Sequence, residues 1–262
     1  MFSDKKRCIY QNNQLAEVIC QLRFPEILTI GANVPVAFQD AIRGEYPQYA
    51  AKSEMPAPKI IGAPGNLQLE NQKPTVNYTF VSADGVWRVN LTSRFISLTC
   101  SRYTDWETFA KKLDTPLASF IKLYKPDYFE RVGLRYMNFI SRQQLDLQNV
   151  PFSELIQPQY LGILSDDEVA ERNTNRCGVD AEVKIRGGCI VKLHAGPGVV
   201  KRNGQQDPEV KFIFDQDLYM SGNVPVNYAA GALQSLHDQA YPIFRDAITE
   251  TLHNAMMPQS ID

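Results

Sequence analysis

Apolar and polar side chains alternate strictly in the first patterned segment of the chain. Ala16, Val18, Cys20, Leu22 and Phe24 interleave with Leu15, Glu17, Ile19, Gln21 and Arg23. A period of two predicts a strand with one apolar face. Phe38, Ala41, Ile42 and Tyr46 then fall at helical spacing, with Asn33 as the expected N-cap and Pro35 in the first turn, where a missing N–H costs nothing. Prolines at 47, 56, 58, 64 and 74 break up the next stretch, which predicts short or edge strands such as Lys59–Ile61 and Leu67–Leu69. Alternation returns at Val76–Phe80, Trp87–Leu91 and Ile96–Cys100, with an Asp84-Gly85 turn, and predicts a three-stranded meander. Thr104 and Glu107 match a capping box ahead of an apolar stripe through Trp106, Phe109, Leu113, Leu117, Phe120 and Tyr124. That helix should kink or divide at Pro116.

The plan then starts again. Val132, Leu134 and Tyr136 alternate with Arg131, Gly133 and Arg135; Asn149-Val150-Pro151 opens a short apolar segment; and a polar stretch reads as surface loop or helix. Strands are expected around Ala181–Ile185, Cys189–Leu193 and Val210–Phe214, with a loop through Pro197, Gly198, Gly204 and Pro208. A final helix from about Asn227 to Met256 should be interrupted at Pro242. Both halves therefore read strand, helix, antiparallel strands, long helix. Asn33-Val34-Pro35 recurs as Asn149-Val150-Pro151 at the matching place, though also at Asn223-Val224-Pro225. The expectation is an α+β fold of two related β-α-β(3-4)-α halves, residues 1–126 and 127–262, an internal duplication sharing one core or curved antiparallel sheet with helices on one face.

Composition narrows the class. Of 262 residues, 44% are hydrophobic and 21% charged, and 27 Lys and Arg against 29 Asp and Glu leave a net charge of -2. Collagen, disorder and a uniformly basic nucleic-acid binder are set aside. No apolar run reaches the length of a membrane span and no signal peptide is recognisable, so a cytoplasmic location is expected. Five cysteines without C-x₂-C spacing suit a reducing compartment, with Cys20, Cys100 and Cys189 as small hydrophobes on strands.

Candidate chemistry is sparse. Phosphate-loop, serine-hydrolase and zinc-protease motifs are absent, so no catalytic residues and no cofactor are assigned. Asp215 and Asp217, two apart at the end of an expected strand, are weak metal-ligand candidates. His237 on the last helix reads as a hydrogen-bonded core histidine ahead of a catalytic base. The polar sheet face carries Glu17, Arg23 and Arg88 in the first half. In the second it carries Arg131, Arg135, Glu182, Lys184, Arg186, Lys192, His194 and Lys211, a locally basic surface.

Asn13–Val18 leading into Gln21–Phe24, Gly133-Leu134-Arg135-Tyr136-Met137-Asn138, and Leu236-His237 together resemble a family of sporadically distributed bacterial proteins of about this length and unassigned function. The resemblance covers nearly the whole chain, with Gly-Leu-Arg-Tyr-x-Asn as its most specific part. It implies an accessory gene of phage-defence or toxin–antitoxin type and supplies no catalytic residues. The expected function is non-enzymatic binding of a protein partner or of a second copy. The alternatives are recognition of nucleic acid or a nucleotide by the basic half-face, and an enzyme whose site lies between the halves. No membrane association is expected.

Overall fold

A computed structural model of the chain describes residues 2, 4–55, 59–61, 68–70, 74–202 and 204–260. The first part of the chain forms β1 (Cys8–Tyr10), β2 (Leu15–Arg23), α1 (Leu28–Ala32), α2 (Val36–Ile42), β3 (Gln48–Glu54), β4 (Lys59–Ile61), β5 (Gln68–Glu70), β6 (Thr75–Val81), β7 (Trp87–Leu91), β8 (Phe95–Cys100) and α3 (Trp106–Tyr124). The rest forms β9 (Tyr128–Ile140), α4 (Phe152–Leu155), β10 (Val179–Lys184), β11 (Ile190–Arg202), β12 (Gln205–Pro225), α5 (Ala229–Ala247), α6 (Glu250–Ala255) and β13 (Pro258–Ser260).

The fold is mixed α+β, built on one antiparallel sheet of order β10-β11-β12-β9-β2-β8-β7-β6-β3. β2 and β9 pair at its middle, Cys20 opposite Leu134. Moving outward from that pair, each side meets first the strand that precedes its long helix, then the strands before it in turn. β1 and β13 form a separate two-stranded ribbon, Cys8 opposite Ser260.

Alternation does what the pattern predicts: Val18, Cys20, Leu22, Ile96, Leu98, Val132, Leu134, Phe212 and Phe214 are buried on one face. On that face α5 packs against β9 and β12, and α3 against β8 and α2. Phe24 meets Phe120 of α3 at 4.6 Å between ring centroids, and Phe38 of α2 meets Phe80 at 5.5 Å. Burying these large side chains supplies the main driving force for docking helices on the sheet.

Several local expectations are corrected. Pro35, not Asn33, caps α2, while Asn33 closes the preceding helix α1. At α3 the cap is Asp105, whose carboxylate accepts from the Thr108 N–H at 2.7 Å, in place of the Thr104–Glu107 box. α3 also runs unbroken through Pro116. That proline leaves the carbonyl of Lys112, four residues back, without its helical donor. The Tyr46 hydroxyl donates to that carbonyl at 2.7 Å instead. The last helix breaks not at Pro242 but at Ile248 and Thr249, where the Gln157 N–H donates to the Ala247 carbonyl at 2.8 Å and the Thr249 N–H to that of Leu155 at 2.9 Å.

The largest correction concerns 197–217. The expected loop is a long hairpin turning at Gly204 (φ 79°), with Pro197 and Gly198 inside β11 and Pro208 inside β12. β10 covers β11 only as far as Ala195. Pro197 therefore lies where β11 is an edge, a place in a sheet that tolerates proline. Asp215 and Asp217 accordingly sit in the middle of β12, not at a strand end.

Candidate functional site

The two faces of the sheet treat their polar residues differently. On the face away from the helices, the register sets Asp217 opposite Arg135 and Ser221 opposite Arg131. The arginines reach diagonally. Arg131 Nη2 donates to both Asp217 oxygens, at 2.6 and 2.7 Å, and Arg135 Nε donates to Asp215 at 2.7 Å while its Nη2 bonds the other oxygen. The Asp215 hydrogen bonds raise the Arg135 pKa further above its already high value. Arg131 also lies over the Tyr219 ring at 4.5 Å, and a Cβ at Gly133 would overlap its guanidinium, so that glycine gives the arginine its bed.

The remaining sequence-selected residues are mostly paired as well. His194 Nδ1 meets Asp180 at 2.8 Å, Lys192 lies 3.6 Å from Glu182, and Arg88 lies 3.8 Å from Glu17. Lys211 is almost buried between Asp207 and Glu209. Arg23 is exposed at the end of β2, Lys184 ends β10, and Arg186 lies off the sheet in the turn after it. The basic half-face is thus corrected to a ladder in which Arg131, Arg135, Lys192, His194 and Lys211 are matched internally, while Lys184 and Arg186 stand at its margin. The sequence reading missed this because it placed Asp215 and Asp217 at a strand end and left out Asp180.

The same pairing corrects the metal candidates, since two guanidiniums already occupy those carboxylates. Among the described residues, no group of three or more His, Cys, Asp or Glu is arranged to hold a metal ion. If the ladder is neutral because of these pairs, Asp215→Asn with Asp217→Asn should free both arginines and create polyanion binding. DNA anisotropy should then show affinity that drops between about 50 and 200 mM salt. Equal DNA binding by wild type and variant would contradict the pairing.

The helix side contains a cavity of about 280 Å³ between α5, the start of α3 and the strands β9 and β12, with β1 along its rim. Alternation along β9 turns Tyr136 and Asn138 toward it while Gly133 and Arg135 face the ladder. The Gly-Leu-Arg-Tyr-x-Asn stretch therefore serves both faces. Tyr103, Trp106, Tyr10, Tyr241 and Phe244 supply aromatic wall. Among the described residues, three buried polar atoms have no hydrogen-bond partner: Tyr103 Oη, Gln216 Oε1 and His237 Nε2. All three residues line this one cavity. Buried polar groups are nearly always satisfied, and leaving one unpaired costs about 1–3 kcal/mol.

His237 is held rigidly. Its ring stacks on Trp106 at 4.4 Å and 10°, Trp106 stacks in turn on Phe109, and its Nδ1 lies 2.6 Å from the Tyr136 hydroxyl. Trp106 is itself anchored by Nε1 donating to Gln234 Oε1 at 2.7 Å. Burial, helped by the positive charge of Arg7, lowers the His237 pKa to about 3. Burial raises Tyr103 and Tyr136 as well, and it carries Tyr241 up to about 12. Near neutral pH the imidazole and phenols of these walls are uncharged, and the charged lining residues are Arg7, Asp105 and Glu107. Arg7, on the exposed rim, forms no ion pair among the described residues.

His237 is hydrogen-bonded and buried, as its helical position suggests, but the cavity beside it was not anticipated. Its walls come from segments far apart in sequence, and no spacing rule links them. A usable signal existed in Tyr136, Asn138 and Gln216: these polar residues occupy core-facing positions of otherwise apolar strands.

Among the described residues, no helix is long and apolar enough to cross a membrane. Comparison with family models and with curated proteins yields no match to this chain.

Proposed function

We propose that this protein acts by binding a small molecule in the cavity beneath β1. The observation that carries this is the convergence of three buried, unpartnered polar atoms on a single aromatic-walled space. At about 280 Å³ the space is near the lower end of ordinary ligand pockets, which run from about 300 Å³ upward. A ligand that pairs those atoms recovers the free energy that leaving them unpaired costs.

Binding without turnover is the better reading. A general base works best with a pKa near the working pH, and His237 lies far below it. The cavity's thiol, Cys8, contacts the Tyr241 hydroxyl at 3.4 Å and has no hydrogen bond to a histidine that would activate it. In place of the protein partner or second copy expected from the sequence, this reading puts a small ligand. It also ranks above nucleic-acid recognition, because the ladder face spends its cations internally.

The test is a panel of one- and two-ring aromatic compounds screened by saturation-transfer NMR against wild type and Ala240→Phe. Ala240 lines the cavity from α5. Its enlargement should fill the space, keep the circular dichroism spectrum and abolish hits that compete with one another on wild type. Hits that survive in Ala240→Phe would place binding elsewhere and defeat the proposal.

A further inference from the structure

Two side chains govern what the cavity recognises. Gln216 and His237 are each only 2% exposed, each has an unpartnered atom, and both line the same space. The direction of the Tyr136–His237 bond follows from acid–base strength. A phenol is a stronger acid than a neutral imidazole N–H, and an imidazole nitrogen is a stronger base than a phenol oxygen. The Tyr136 O–H therefore donates to Nδ1, and the ring proton resides on Nε2. His237 thus presents one N–H donor, with its plane set by the stack on Trp106 and its orientation by the bond to Tyr136. Gln216 presents a carboxamide, with an acceptor and a donor side by side.

Carboxamides recognise edges that carry a donor next to an acceptor, as glutamine and asparagine do with adenine. A purely apolar occupant would leave the buried donor and carboxamide unpaired. An ionised one would lose its hydration beside the uncharged imidazole, carboxamide and phenols, since the charged lining residues are the exposed Arg7 and Glu107, of opposite sign, and Asp105, whose carboxylate is already engaged in capping α3. Flat aromatic side chains favour a flat partner.

We propose that the ligand is a neutral planar heterocycle bearing an adjacent hydrogen-bond donor and acceptor, the chemistry of a nucleobase or related lactam. Gln216 pairs with that edge and His237 Nε2 donates to a second acceptor on the ring. This rests on the cavity being a binding site.

The test uses calorimetric titration of the full chain with adenine, hypoxanthine and uracil. Their nucleosides are titrated separately to distinguish a free base from a base carried on ribose. Indole, toluene and benzoate serve as apolar and anionic comparators. At least one base or its nucleoside should bind more tightly than all three comparators. Gln216→Met should weaken it by about 10- to 100-fold, the worth of one bidentate pair. The melting temperature of that variant should not fall, since the substitution removes a buried unpaired group; His237→Phe, which keeps the stack on Trp106, should weaken binding as well. Indole, toluene or benzoate binding as tightly as the bases, or base affinity unchanged in Gln216→Met, overturns the ligand class and leaves the cavity reading standing. Failure of every probe, comparators included, overturns the cavity reading itself.

Discussion

Lowering the pH from 7 to 4.5 should cost this protein about 3 kcal/mol of folding stability through His237 alone. The imidazole is neutral and buried in the folded state, with its pKa lowered to about 3. In the unfolded chain it returns to about 6.5. Between those values the unfolded state binds a proton that the folded state refuses, so stability falls with pH at about 1.4 kcal/mol per unit. The contribution is fully present above pH 6.5 and is lost progressively down to about pH 3. Urea unfolding of wild type and His237→Phe at pH 7 and 4.5 isolates it. The variant leaves the Tyr136 hydroxyl without its partner, but that cost is the same at both pH values. The wild-type advantage should therefore shrink by about 3 kcal/mol on acidification. Parallel losses in the two proteins would show that His237 is not the buried neutral group described here.

The second large effect lies on the opposite face. Asp217→Ala should destabilise the fold by about 2–3 kcal/mol. It leaves the Arg131 guanidinium, 18% exposed, pinned over Tyr219 and Gly133 without its counter-ion. Replacing both partners, Arg131→Met with Asp217→Leu, should return stability to within about 1 kcal/mol of wild type, because neither charge is then stranded. Chemical denaturation of wild type, Arg131→Met, Asp217→Leu and the double variant gives the coupling directly. A coupling near zero would mean that the pair is an ordinary surface contact screened by water. Arg135 and Asp215 offer a weaker version, since Arg135 is more open to solvent.

These two results probe the two sides of one strand, and they show where sequence reading succeeded and failed. Each strand predicted from alternation is present, and the stripes on the long helices face the sheet as predicted. The failures share a cause. Prolines were read as breaks, yet Pro116 is accommodated by a hydroxyl from Tyr46, 66 residues from the carbonyl it bonds, and Pro197 by a place on the sheet edge. Ending the expected strand at Phe214, where β12 runs on to Pro225, moved Asp215 and Asp217 to a strand end and turned a neutral ladder into a basic face. The cavity is not legible because Tyr136 reads simply as one more residue of an apolar strand face, and the alternation analysis does not extend to Asn138 and Gln216, the polar residues that share that face.

What the sequence determined by itself is what depends on neighbours within a few residues: strand faces, helix stripes, turns, and the absence of familiar catalytic motifs. The tertiary structure decided what depends on register and approach across long separations. Arg131 meets Asp217 over 86 residues and Tyr136 meets His237 over 101. A residue's own period selects the face on which it stands, whereas the group that neutralises it, or the space it lines, is chosen only when distant strands and helices come together.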